Sequence, residues 1–556
     1  MFDRFLSECQ GTLVPILKDM GIEKRIPFEE PRAEYGDAAF PTFSLAPLLK
    51  KAPQKIAEEI AGKTTPLEGS LIKKVEAAGG YVNFFLDYDR MAPMLIRDIL
   101  ERGAAFGSGN LGGRYTVEHT SANPDGPLHI GHGRNAIIGD SLARILSFAG
   151  CDVETQYYLN DMGKQLAVVV WGLGQMDIDK TLKKDEGIGA IYVEANRRME
   201  ESEEVQGEIS ELMQAYEGGD EGVVERFRSA AEYCLKGQRE TLKRLGIRHD
   251  SVTWESQFVR DGSVEEIVER LRRTPYAKTD GVLYLDLTDF GIEKELVLQR
   301  SDGTYLYATR DIAHHIWRSK RGKIIDVWGS DHKLLASQLG ATLELLGEEA
   351  PEFVIYEFIH LPEGSMSTRR GKYISLDELV EETVERAYRE VDKRRPEEPE
   401  DFKREVAEKV GTGAVRYNII KVSPDKSMVF RWEEALDFER QGSPFIQYAY
   451  ARACRILEKA AAPEGFDIRD LSREEKDLLN ILSKFPVAVR DSALARKPAV
   501  MAHYCLDLAT SFHRFYMHQQ VINSKEKDFR LNLVLATKVV LQNALQLLGI
   551  EVLERM

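Results

Sequence analysis

The chain has 556 residues, of which 43% are hydrophobic and 30% charged, and a formal net charge of −16. This is the make-up of a multidomain globular protein and excludes a disordered or fibrous chain. It also excludes a general nucleic-acid coat, which needs clustered Lys and Arg, while leaving room for a local basic stripe. Cys9, Cys151, Cys234, Cys454 and Cys505 are scattered, with neither a CxxC pair nor zinc spacing, so buried reduced thiols and no metal site are expected. The start, "MFDRFLSECQ", is acidic where a secretory leader needs basic residues, and no apolar run is long enough to span a bilayer. A cytoplasmic protein without membrane contact is expected.

Residues 1–110 read as a small α/β add-on: helical patterns such as "APLLKKAPQKIAEEI" come first, and the apolar run after Gly79 and Gly80 reads as a strand. From 111 onward, "GRYTVEHT" reads as a strand, "SANPDGPLHIGHG" as a loop, "RNAIIGDSLARILSFAG" as a helix and "DVETQYYLN" as a strand. In that helix Ile137, Ile138, Leu142, Ile145, Leu146 and Ala149 share one face and Gly150 is placed to end it, so the unit is βαβ. Residues 165 to about 290 read as a mostly helical, acidic insertion. "GVLYLDL", "KELVLQRSDGTYLYATRD" and "KIIDVWGSDHK" read as further strands of the sheet. "KRRPEEPEDFKRE" marks a junction, and the long amphipathic runs of 396–556 read as a helical bundle. The expected fold class is α/β: a Rossmann-type parallel-sheet catalytic domain over 111–395, with its helical insertion, an N-terminal α/β add-on and a C-terminal all-α bundle.

In such a sheet, ligands sit beyond the carboxyl ends of the strands, and the first strand-to-helix loop offers helix N-terminal amides to anions. Here that loop holds His129 and His132. Neutral imidazoles there could hydrogen-bond phosphate oxygens without a buried permanent charge, and Gly131 would admit a flat base.

His129 to His132 spell HIGH, and "SANPDGPLHIGHGRN" resembles the arginyl form of the class I aminoacyl-tRNA synthetase signature. "YLNDMGKQ", "RSDGTYLYATRDIAHH", "SMSTRRGK", "FERQGSPFIQYAYAR" and "LLGIEVLERM" are similar to further blocks of that family, in the same order. The resemblance implies that L-arginine and ATP, carried with Mg2+, form arginyl-adenylate and pyrophosphate, and that arginine then passes to the 3′ end of tRNA(Arg). It also implies a monomer that activates arginine only when cognate tRNA is present. His129 and His132 would contact the triphosphate and Gly131 would lie under adenine. In the second signature, residues 365–372, Met366 and Lys372 would bind nucleotide, with Ser367, Arg369 and Arg370 catalytic. The chain departs from the family at Ser365 and Thr368, where Lys is usual, and at Gly126, where many relatives lacking the second Lys carry a compensating one. Arg369 or Arg370 is therefore expected to supply the cation.

By the same resemblance Asp311 receives the guanidinium, Glu118 meets the α-amino end, Asn123 and Tyr307 shape the arginine pocket, and His332 stands where some relatives have Gln. Phe445, Tyr448 and Met556 are expected at the anticodon, and Asn83 and Phe85 at the tRNA elbow. Helical periodicity alone would place Phe445 and Tyr448 in the bundle core.

Overall fold

The computed structural model describes residues 1–23, 26–362, 374–466 and 470–556. In the N-terminal module Gly79 and Gly80 both take positive φ (57° and 90°). They close a two-residue hairpin of the kind that matches strand twist, between Ile72–Ala78 and Tyr81–Leu86. Ala38–Pro41 completes this antiparallel sheet on the other side of Tyr81–Leu86.

The central sheet has five strands: β1 (Arg114–Glu118), β2 (Asp152–Leu159), β3 (Ser251–Trp254), β4 (Lys323–Gly329) and β5 (Glu352–Tyr356). All pair in parallel in the order β5-β4-β1-β2-β3. The order reverses between β1 and β4, where Glu118 pairs with Asp326. This is the switch point at which doubly wound sheets open a crevice.

The helix after β1, Ile130–Phe148, is buried on nearly every side rather than on one face, and even Arg134, Asn135, Asp140 and Ser141 are enclosed. Its second side is covered by Glu400–Ile420 and the bundle helices Phe485–Ala495, Pro498–His518 and Lys527–Leu547. Arg416, fully buried, binds these parts together. Its Nε donates to Leu548 O (2.7 Å) and Nη1 to Leu245 O (2.8 Å), while Nη2 pairs with Asp140. Gly549 permits this grip: its φ is 66°, and a Cβ there would fall 2.3 Å from the guanidinium.

The segment 165–290, expected to be mainly helical, divides in two. Four helices span Lys164–Gln175, Lys184–Glu201, Glu203–Glu217 and Glu221–Arg244; the chain then returns to the central sheet as β3. "GVLYLDL" and "KELVLQR" do form strands, Val282–Leu285 and Leu296–Gln299, but in a separate antiparallel sheet with Ala277–Asp280. That sheet packs on its own apolar cluster, including Leu283, Leu285, Leu298 and Ile312. "YATRD" begins a helix, Tyr307–Ser319, because the strand before it stops at Gln299. Alternation specifies a strand but not its partner, so these strands form a sheet of their own rather than extending the central one. All five cysteines are free and buried. No helix among the described residues is long and apolar enough to cross a membrane.

Candidate active site and tRNA surface

The loop from β1 to the helix is strained and tightly pinned. Thr120 and Ser121 both take positive φ (71° and 39°), which non-glycine residues rarely adopt. Asn135 Oδ1 accepts from Thr120 N (2.6 Å), and Ser121 Oγ donates to Glu118 (3.1 Å) and accepts from Tyr158 N (3.1 Å). Gln238, enclosed in the insertion, donates to the carbonyls of Asn123 and Gly126 (both 2.9 Å), and Tyr157 Oη to that of Ala122 (2.9 Å). The insertion is therefore the scaffold for this loop.

His129 caps the helix: its Nδ1 accepts from the amides of Gly131 (3.0 Å) and His132 (3.2 Å). His132 Nδ1 in turn accepts from His129 N (3.4 Å), and the two rings stack with centroids 3.5 Å apart. Because Nδ1 is the acceptor in both, each neutral ring carries its proton on Nε2. Burial pushes both imidazoles below their ordinary pKa, His132 to about 3, so they stay neutral at physiological pH. The capping geometry also dictates Gly131, whose Cβ would lie 2.9 Å from the His129 ring. A Cβ at Gly126 would meet Gly189 Cα at 3.3 Å, so this position faces the insertion helix. Ser365, Met366, Ser367, Thr368, Arg369, Arg370 and Lys372 lie outside the described residues.

Beyond the strand ends, Glu118 and Asp311 belong to one acidic cluster with Glu255 and Asp326. Arg318, fully buried, joins Glu118 (3.1 Å) to Asp326 (2.5 Å), and His315 Nε2 lies 2.8 Å from Asp326. Arg310 pairs with Glu255 at 2.9 Å. Asp311 is half-buried and its carboxylate makes no hydrogen bond among the described residues. Desolvation, with Glu255, Glu118 and Asp326 adding repulsion against the opposing pull of His315, pushes its pKa up to about 7. Tyr307 is 61% exposed and lies one helical turn from Asp311. Glu118 is only 5% exposed, already engaged by Arg318 and Ser121. Asn123 Nδ2 donates to Gln165 (2.5 Å). His332 is exposed beyond the end of β4, 3.5 Å from Asp331. Arg318, His315, Asp326 and Glu255 escaped the sequence reading. For the first two a signal was present: Asp311, His315 and Arg318 fall at i, i+4 and i+7 on one helical face.

Residues 108–432 match the family model for class I tRNA synthetases (R), catalytic domain; 446–556 match the DALR anticodon binding domain, and 7–86 the arginyl tRNA synthetase N terminal domain. An arginine–tRNA ligase of Methanothermobacter thermautotrophicus is 49% identical, with all of both chains covered. The chain belongs to the arginyl-tRNA synthetase family. The Methanocaldococcus jannaschii arginine–tRNA ligase is 47% identical over 95% of each chain. The Thermus thermophilus arginyl-tRNA synthetase structure superposes with a TM-score of 0.85 at 31% identity, covering 100% of both chains. As an arginyl-tRNA synthetase, the chain uses ATP to charge tRNA(Arg) with arginine.

The synthetase's bundle brings Phe445, Tyr448 and Met556 to one cavity of about 410 Å³. Phe445 is 7% exposed, its ring edge-on to His513, whereas Tyr448 is 38% exposed. An adjoining cavity of about 610 Å³ adds Arg452, Arg455, Lys459 and Tyr516. The Arg452 guanidinium sits over both tyrosine rings, 4.6 Å from Tyr448 and 4.3 Å from Tyr516. Sequence reading missed Arg452 and Tyr516, although Arg452 is one helical turn from Tyr448. At the N-terminal module Asn83 is enclosed (3% exposed) between neighbouring strands, so of the two elbow candidates only Phe85 presents surface. Phe85 lies beneath Lys74 Nζ and lines a cavity of about 880 Å³ shared with Arg473, Lys476 and Arg514 of the bundle.

Proposed function

We propose that arginine specificity rests on Asp311. A half-buried carboxylate that accepts no hydrogen bond among the described residues and lies near Glu118, Glu255 and Asp326 is suited to receive a permanent planar cation. Tyr307 closes over the guanidinium from the same helix, Glu118 meets the α-amino group, and Asn123 and His332 border the pocket. The arginine carboxylate attacks the α-phosphorus of ATP, and pyrophosphate leaves. The 3′-terminal ribose hydroxyl of tRNA then attacks the aminoacyl carbonyl, and AMP leaves. The neutral Nε2–H groups of His129 and His132 donate to the triphosphate, with Gly131 beneath adenine. Ser367, Met366 and Lys372 of the second signature contact nucleotide. Arg369 or Arg370 supplies the cation that neither Thr368 nor Gly126 provides.

Among the described residues no three acidic, His or Cys side chains converge on a metal site. Mg2+ would enter with ATP, as the family resemblance implies, and would supply charge screening at the phosphates. Tyr448, with Phe445 behind it and Met556 beside it, stacks on unpaired anticodon bases, and Phe85, with Asn83 behind it, meets the elbow. The protein acts as a monomer on this reading, which follows the family resemblance, and five buried free thiols suit a reducing cytoplasm. Asp311→Asn tests the arginine assignment. Loss of a desolvated charge pair, worth about 2 kcal/mol or more, should raise the KM for arginine about 30-fold or more without lowering the melting temperature. An unchanged KM would remove Asp311 from the pocket.

A further inference from the structure

Arg134 stands two residues after His132 and is fully buried, yet among the described residues it makes no ion pair within 4 Å, the Glu357 carboxylate acting on it only from farther away. Its guanidinium instead gathers five backbone carbonyls. Nη1 donates to Glu357 O (2.6 Å) and Phe358 O (3.1 Å), and Nη2 to Ser423 O (3.4 Å), Pro424 O (3.4 Å) and Lys426 O (2.7 Å). These carbonyls belong to two neighbouring strand leads, one running into Ile359–His360 and the other into Met428–Val429, which pair in parallel. The leads are cross-linked by Glu357 N to Pro424 O (2.9 Å), Met428 N to Phe358 O (3.2 Å) and Phe430 N to His360 O (2.8 Å). The chain on the other side of residues 363–373 is fixed to the same helical turn. Leu376 N donates to Leu128 O (2.7 Å), Ser375 bridges to His129, and Leu376 packs where a Cβ on Gly133 would be. Both flanks of the second signature are thus anchored to the turn that carries His129 and His132. On the entry side Arg134 is the anchor.

We propose that Arg134 is a positioning residue for adenylate formation: by clamping those five carbonyls it fixes the helical turn that carries His129 and His132 against the two strand leads, and so sets where those imidazoles meet the triphosphate. This rests on the reading that His129 and His132 grip ATP. A planar fork with five N–H donors can span two strands, whereas a lysine ammonium, a compact point charge with three donors, cannot. Because in-line transfer depends on placement, a misplacement of about 1 Å costs about 100-fold in rate.

The test is arginine-dependent ATP–pyrophosphate exchange by the full chain with saturating tRNA(Arg), for wild type, Arg134→Lys, Arg134→Gln and Asp425→Ala. Asp425 is exposed and its carboxylate accepts from Ser423 Oγ, shaping the turn that presents the 423–426 carbonyls. Both Arg134 variants should lose about 100-fold in kcat while the KM for arginine stays within about threefold. Amide exchange at Glu357, Met428 and Phe430 should speed up. Asp425→Ala should lose kcat in the same direction, by less, at unchanged melting temperature. The proposal is overturned if Arg134→Lys keeps kcat within about threefold of wild type, or if kcat and the KM for arginine worsen together in step with thermal stability. Should the Arg134 variants not fold, an unchanged kcat in Asp425→Ala overturns it. Absence of exchange in wild type would instead refute the reading of the reaction.

Discussion

With Asp311 as the proposed guanidinium receptor, arginine binding should be sensitive to pH. Its pKa is about 7 in the folded chain against an ordinary 3.8. Arginine needs the carboxylate form, so affinity should rise about tenfold per pH unit below 7 and level off above it, with nearly one proton released per arginine bound near pH 6. Calorimetric titration in buffers of differing ionisation heat reads that proton directly, and Asp311→Asn should abolish both effects. A pH-independent affinity from about pH 5.5 to 8 would contradict the assignment. The linkage to folding has the opposite sense. The folded state holds the proton up to about pH 7 and the unfolded state releases it near 3.8, so the stabilisation from this group is complete below 3.8 and is lost as pH rises through 7. Asp311 is picked out as a candidate in the sequence by the block that holds "YATRD". The charges that tune it are not: Arg318 and Asp326 come from different elements, and their pairing exists only once β4 lies beside β1.

At the scale of elements, the helix Ile130–Phe148 sits unusually close to the end of β1. A Cβ on Gly139 would fall 2.2 Å from His119 Cβ, and His119 is enclosed and locked against His249 (ring centroids 4.3 Å) and Thr120 Oγ1 (3.0 Å). Gly139→Ala must therefore push helix and strand apart. The expected loss is about 1–3 kcal/mol, visible as a lower urea midpoint, and an unchanged midpoint would show that the packing is looser than described. Helical periodicity located this element and its end at Gly150, but it predicted one buried face. The other face is covered by helices more than 250 residues later in the chain, a contact that no local pattern encodes. The strands after 280 failed for a related reason: short alternating segments of four residues, Val282–Leu285 and Leu296–Gln299, fit a hairpin sheet as well as the edge of a parallel one.

Across the whole molecule the three-part organisation was readable from composition and pattern, since the add-on, the βαβ core and the terminal helices differ in period. The way the parts are bound together was not. Arg416 joins the loop-bearing helix to the bundle's last helix, and Arg496 pairs with Glu352 of β5 at 2.7 Å. A single apolar cluster runs from Phe5 in the N-terminal module, through Ile137, to Leu545 near the end of the bundle. The helix that begins at His129 and His132 is thus packed directly against the helical domain that holds Tyr448 and Met556. We take that packing as the route for the tRNA dependence of activation that the family resemblance implies. The decisive measurement is pyrophosphate exchange into ATP with each amino acid in turn, with and without tRNA(Arg). Exchange is predicted with arginine alone and only when the tRNA is present. Exchange with another amino acid, or with arginine in the absence of tRNA, would contradict it.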